Sequence, residues 1–288
     1  MKKIFSYSLF EPKTMPNHRD WDSNKTEKKR YWYNVPTIIL LNKFLYPQYK
    51  TRFYLSDNIW KDELSSIFKI FDDEIECQTI KLEYSLTEPA IWRMIPLWEY
   101  DISILHARDL DSLTSEKDYE YIAKFESSNC TVGTIRSHEN HFGHSCRMLA
   151  GLCSFKPELV PNHIKGSNFY LYYNKRKNAY GSDQELLIET FTKNEEYTRT
   201  NFLDCKIDKQ FNKQDFPLIE LELDHKFDIE NEKKIIFEKI KEYTNCSWLG
   251  EPCDSRGKLL NYLLEQNAEI KDKILKSNIL SNFYMVKK

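Results

Sequence analysis

Residues 101–112 read DISILHARDLDS, and their two halves ask for different surroundings. The first half, DISILHA, places aliphatic residues at nearly consecutive positions, the pattern of a strand covered on both faces at the centre of a parallel sheet. The second half, RDLDS, crowds two like charges, Asp109 and Asp111, directly behind that strand. In an extended segment, side chains two apart point the same way, so both carboxylates are expected to reach one point.

Outward from this stretch, strand-like and helix-like segments alternate. KKIFSYSLF (2–10) reads as a first strand and YKTRFYLS (49–56) as a second. IECQTIKL (75–82) is the third, DISILHA the fourth, and CTVGTI (130–135) the fifth. Between them, RYWYNVPTIILLNKFL (30–45) carries Ile38, Leu41 and Leu45 at helical spacing, with Pro36 near the start. KDELSSIFKIFD (61–72) carries an Ile67, Ile70, Phe71 stripe, and PAIWRMIPLWEY (89–100) is a short helical turn bounded by prolines. SEKDYEYIAKFESS (115–128) begins with Ser115 as an N-cap and acidic residues in its first turn. This alternation predicts an α/β protein with a doubly wound, mainly parallel sheet flanked by helices. In such sheets ligands bind beyond the carboxyl ends of the strands, which is where RDLDS falls. From about residue 216 the character changes to one strand-like run, PLIELEL (217–223), and lysine-rich amphipathic helices at 230–244 and 257–277. The expected division is therefore a domain over 1–215 and a mainly helical extension over 216–288, packed on it.

Bulk composition excludes several classes. In 288 residues, 42 basic side chains face 44 acidic ones, so no global field favours nucleic acid or an anionic membrane as partner. The seven cysteines are odd in number and form no CxxC, which argues for free thiols. The start lacks a signal-peptide pattern, and no apolar run approaches the ~20 residues that span a bilayer. A soluble, cytoplasmic chain is expected.

Hard oxygen ligands such as Asp109 and Asp111 suit Mg²⁺ or Mn²⁺, which keep waters and share substrate phosphate. The segment WRMIPLWEYDISILHARDLDS (92–112) resembles a pattern in nucleotide-sugar-dependent glycosyltransferases of the GT-A fold, where Trp-Arg precedes a strand ending in Arg-Asp-x-Asp-Ser. TIRSHENHFGHSCRMLAGLCSFK (134–156) is similar to a segment carrying an arginine, a His-x-x-His pair and a Gly-Gly turn. This chain has Ser137 where an acid is usual, and Ala150–Gly151 where two glycines are usual. SYSLF (6–10) and YPQYKTRFYLSD (46–57) resemble the first two strands, and YGSDQELL (180–187) an Asp-Gln that opens a helix near the acceptor.

The resemblance, which spans roughly residues 1–205, implies a metal-dependent transferase moving a sugar from a nucleotide-diphosphate donor, UDP by default, to a hydroxyl of a glycan or glycoconjugate acceptor. It implies that Asp111 binds the cation while Asp109 shares the ion with the ribose or sugar. Ser6, Tyr7, Ser8, Arg93 and Arg108 then border the donor. Asp183 is the candidate base for the acceptor hydroxyl, with Gln184, Arg136, His138, His141 and Asp204 in the acceptor or sugar region. HENHFGH (138–144) is not a zinc-protease motif, because one residue rather than two separates its Glu from the next His. A nucleotidyltransferase is disfavoured by the absence of glycine in SLFEPKTMPNHRD (8–20). A catalytically silent glycan- or partner-binding module of the same fold is the remaining alternative.

Overall fold

The computed structural model describes residues 1–10, 31–57, 64–81, 89–136, 148–165, 182–187, 190–191, 202–206, 219–220, 227–244 and 258–277. Its strands are β1 (Lys2–Leu9), β2 (Lys50–Ser56), β3 (Ile75–Ile80), β4 (Ile102–Arg108), β5 (Val132–Arg136), β6 (Leu152–Phe155), β7 (Phe202–Lys206) and β8 (Ile219–Glu220). They form an eight-stranded sheet of order β3-β2-β1-β4-β6-β5-β7-β8. The β1–β2, β1–β4, β2–β3, β5–β7 and β7–β8 pairs are parallel. β6 runs antiparallel to both of its neighbours, β4 and β5. The protein is thus α/β with a mixed, mostly parallel sheet covered on both faces. Local propensity does not mark β6 and β7, because LCSF and FLDCK hold no β-branched residue, whereas the equally short β5 has Val132, Thr134 and Ile135.

The two faces are distinguished by alternation along the strands. Phe5, Tyr7 and Leu9 of β1 join one core cluster, while Ile4 joins the other. In β4 a register irregularity between Lys2 and Lys3 of β1 falls opposite Ile102 and Ile104. It breaks parity, so Ile102, Leu105 and Ala107 share one face while Ile104 lies on the other.

The first face carries α1 (Val35–Leu45), α2 (Leu64–Ile70) and α3 (Glu116–Ser127), and its cluster takes in Ile38, Ile67, Tyr121 and Phe125. Pro36 sits in the first turn of α1, where no helical N–H is lost. Nearly all of α1 is buried because it is sandwiched between the sheet and a C-terminal helix. That second layer is α6 (Asn231–Thr244), α7 (Lys258–Glu265) and α8 (Ala268–Ser277), numbered after α4 (Asn162–Lys165) and α5 (Ser182–Leu187). α7 packs on α1 and α8 touches α2, with Leu259, Leu260 and Leu263 in the same cluster as Phe5. The stretch 257–277, periodic enough to read as one helix, divides at Gln266–Asn267. Asn267 Oδ1 accepts the amide of Ile270 at 3.2 Å, and this new N-cap starts a second helix.

The second face carries α4, α5 and a ten-residue 3-10 segment, Pro89–Trp98, in place of a short turn. Pro96 inside it removes a donor that an α-helix would need. The segment is fastened at both ends. Ser8 Oγ donates to Ala90 O at 3.4 Å and accepts from Arg93 N at 2.8 Å. At the far end Glu99 receives Arg52 Nη1 on both oxygens, at 2.7 and 2.6 Å. No described helix is long and apolar enough to cross a membrane.

Candidate functional site

The chain lays β1, β2 and β3 outward to one side, then places β4 on the other side of β1. The order therefore reverses between β1 and β4, and the crevice at their carboxyl ends is where open α/β sheets bind ligands. Ser8 ends one side of this crevice, and Arg108–Asp109 the other.

Three elements meet there through Arg93. Its Nη1 donates to Asp109 Oδ1, in the loop after β4. Its Nη2 donates to Asp183 Oδ2 at 2.8 Å, in the first turn of α5. Arg93 is buried, as is Asp183, whereas the Asp109 side chain is 45% exposed. Burial pushes the Asp183 carboxyl above its ordinary value and the nearby Asp109 charge adds to this, while Arg93 and the Gln184 amide pull it back. Gln184 N donates to Asp183 Oδ1 at 2.9 Å, so both Asp183 oxygens are engaged. The sequence places Asp183 with the acceptor, away from the donor carboxylates. The structure instead puts it on the same guanidinium as Asp109.

Gly151, in the turn before β6, completes the floor under Asp109. A Cβ at residue 151 would overlap the Asp109 carboxyl group. This is the residue whose role the sequence reading did not recognise, although the Ala150–Gly151 turn marks its place.

Arg108 differs from expectation. Ala107 faces the second sheet face, so alternation sends Arg108 to the first, into the protein. Its Nη2 meets Asp118 Oδ1 at 3.0 Å, and Nη1 donates to Ala107 O at 2.9 Å and Cys153 O at 2.8 Å. Asp118 is fixed in turn by the Ser115 cap, whose Oγ accepts Asp118 N at 3.2 Å, and by Thr114 Oγ1 at 3.1 Å. The guanidinium is committed to a buried structural pair rather than to a cofactor. Arg108 Nε, without a partner among the described residues, belongs to a side chain lining a cavity of about 20 Å³ with Tyr7, Asn42 and Thr114. That space suffices for one water.

The SYS stretch divides its labour. Tyr7 lies in the core, stacked on Phe53, with its hydroxyl accepting from Asn42 Nδ2 at 3.1 Å. Ser6 is fully buried and its Oγ has no partner among the described residues. Ser8 acts at the site indirectly, by anchoring the backbone of Arg93.

The extended run ends at Arg108, and Leu110–Asp111 lie in a turn, so the two-residue alternation does not carry through to Asp111. Asp111 is nevertheless buried beside this edge. Asp204 pairs with Thr134 and Glu220 in the sheet, and Arg136 is the last residue of β5. His138 and His141 fall outside the described residues.

Below the site runs a buried polar chain. His106 Nδ1 meets Ser154 Oγ at 2.7 Å and its Nε2 meets Tyr49 Oη at 3.1 Å, and Tyr49 donates to Glu126. Burial holds His106 well below the ordinary imidazole value, and the charges of Arg108 and Lys3 act in the same direction. The unfolded chain therefore binds a proton near pH 6.5 that the folded chain refuses, so stability falls as pH drops below that point. The expected contribution of His106 is a loss of about 1.4 kcal/mol between pH 7.5 and 5.5. Urea unfolding at the two pH values, in the wild type and in His106→Gln, measures it. An equal pH dependence in both proteins would contradict the assignment.

No protein-family model matches this chain, and no curated protein is significantly similar to it.

Proposed function

We propose that the protein is a metal-dependent glycosyltransferase of GT-A-like fold that takes a nucleotide-diphosphate sugar, UDP-linked by default, and glycosylates a glycan hydroxyl. The observation that carries this reading is the convergence of Asp109, Arg93 and Asp183 at the carboxyl edge, beside the β1/β4 reversal. Further support comes from the matched order of the Trp-Arg, Arg-Asp-x-Asp-Ser and Asp-Gln segments along the chain.

The donor set fits a hard divalent cation. Asp109 is open to solvent on a floor kept clear by Gly151, and Asp111 follows two residues on. Among the described residues no three His, Cys, Asp or Glu side chains are grouped for a metal. A cation would then be held by Asp109 and Asp111 and complete its shell with water and diphosphate oxygens. When bound it supplies Lewis-acid stabilisation of the charge that builds on the leaving diphosphate. The chain's own residues set the geometry: Ser8 fixes Arg93, Arg93 fixes Asp109, and Gly151 leaves room for the carboxylate. Asp183, with both oxygens occupied, is assigned to positioning through Arg93 rather than to proton abstraction.

A thermal-shift panel of UDP, GDP, CDP and ADP, with and without Mn²⁺, tests the reading. The expected result is stabilisation by one nucleoside diphosphate, UDP first, that depends on Mn²⁺. Absence of a shift with every nucleotide would overturn it. Binding without any turnover of nucleotide-sugars would favour the catalytically silent module.

A further inference from the structure

Arg93 offers one positive charge to two carboxylates that belong to different parts of the site. One, half-exposed, is in the loop after β4, and the other is buried in α5. The guanidinium cannot follow a departing partner far, because its backbone is held by Ser8 and its side chain is enclosed. Its Nε has no partner among the described residues, so the two acids account for its charged contacts there. We propose that Arg93 is a shared counter-ion, a positioning residue that couples the acidic loop after β4 to the first turn of α5. Whatever draws Asp109 away from Arg93 tightens Arg93 on Asp183, and removing the Asp183 charge tightens Arg93 on Asp109.

The low dielectric around the buried guanidinium makes this exchange strong, since water does not readily replace the buried Asp183 beside it. Asp183 relies on it in particular, because burial and the Asp109 charge both disfavour its ionised form. One consequence rests on the metal reading above: a divalent cation taking Asp109 would leave Arg93 to Asp183 alone and tighten that contact.

The counter-ion itself is tested without metal, by thermal unfolding of Asp109→Asn, Asp183→Asn and the double variant. Either single variant leaves Arg93 one acid, whereas the double variant strands a buried charge. The double loss in Tm is therefore expected to exceed the sum of the single losses by about 5 °C or more. In an Arg93→Gln background the losses should add. Additive losses with Arg93 present would overturn the proposal.

A second arm needs no Asp109 variant and applies even if the double variant fails to fold. Titration with Mn²⁺ alone should show Asp183→Asn weakening affinity by about threefold or more when Arg93 is present, and by less than about twofold with Arg93→Gln. Equal effects in both backgrounds would mean a simple field effect and no shared counter-ion. Wild-type protein that binds no Mn²⁺ would remove the metal reading, and the unfolding cycle would then decide the counter-ion alone.

Discussion

Asp118→Ala is expected to lower folding stability by about 3–5 kcal/mol, the typical loss when one member of a buried ion pair is removed. Asp118 is 2% exposed and Arg108 5%, so the stranded guanidinium finds no solvent to replace its partner. The same substitution deletes the acceptor for Thr114 Oγ1 and loosens the start of α3 behind the acidic loop. Urea unfolding at pH 7 gives the number. A paired Arg108→Met, Asp118→Leu variant should recover much of it, because the cost lies in an unpaired charge rather than in lost attraction. A loss below about 1 kcal/mol for Asp118→Ala would show that Arg108 is solvated, and would return it to the list of ligand-binding groups.

Gly151→Ala should behave in the opposite way, disabling the site while sparing the fold. The added methyl would occupy the space of the Asp109 carboxyl group, which is the free end of a side chain nearly half exposed. Asp109 can swing outward at little cost, but its contact with Arg93 is then lost. Mn²⁺-dependent nucleotide affinity is expected to drop by about tenfold or more, or about 1.4 kcal/mol, with stability changed by less than about 1 kcal/mol. Calorimetric titration paired with urea unfolding separates the two quantities. A variant that binds as the wild type does would show that Asp109 is not held where the ligand needs it.

The sheet was legible where residues are many and patterned. DISILHA announces a strand covered on both faces, and Ile38, Leu41 and Leu45 at helical spacing announce α1. The strands β6 and β7 were not, because LCSF and FLDCK carry no β-branched residue to mark a strand. The break at Asn267 hides inside a continuous helical pattern, where one side-chain cap outweighs periodicity. At the site, the pairing of Arg93 with two acids 16 and 90 residues away in sequence is a product of topology, invisible to local spacing. The fate of Arg108 was readable in part. Alternation from Ala107 turns it inward, and the Ser115 cap brings Asp118 to meet it.

The most direct measurement is calorimetric titration of UDP into wild type and Asp111→Ala, each with saturating Mn²⁺ and again with chelator. The account predicts Mn²⁺-dependent binding in the wild type that weakens by about 100-fold or more in the variant, or about 2.7 kcal/mol, while both proteins unfold cooperatively. Equal affinity in the two proteins with Mn²⁺ present would contradict it.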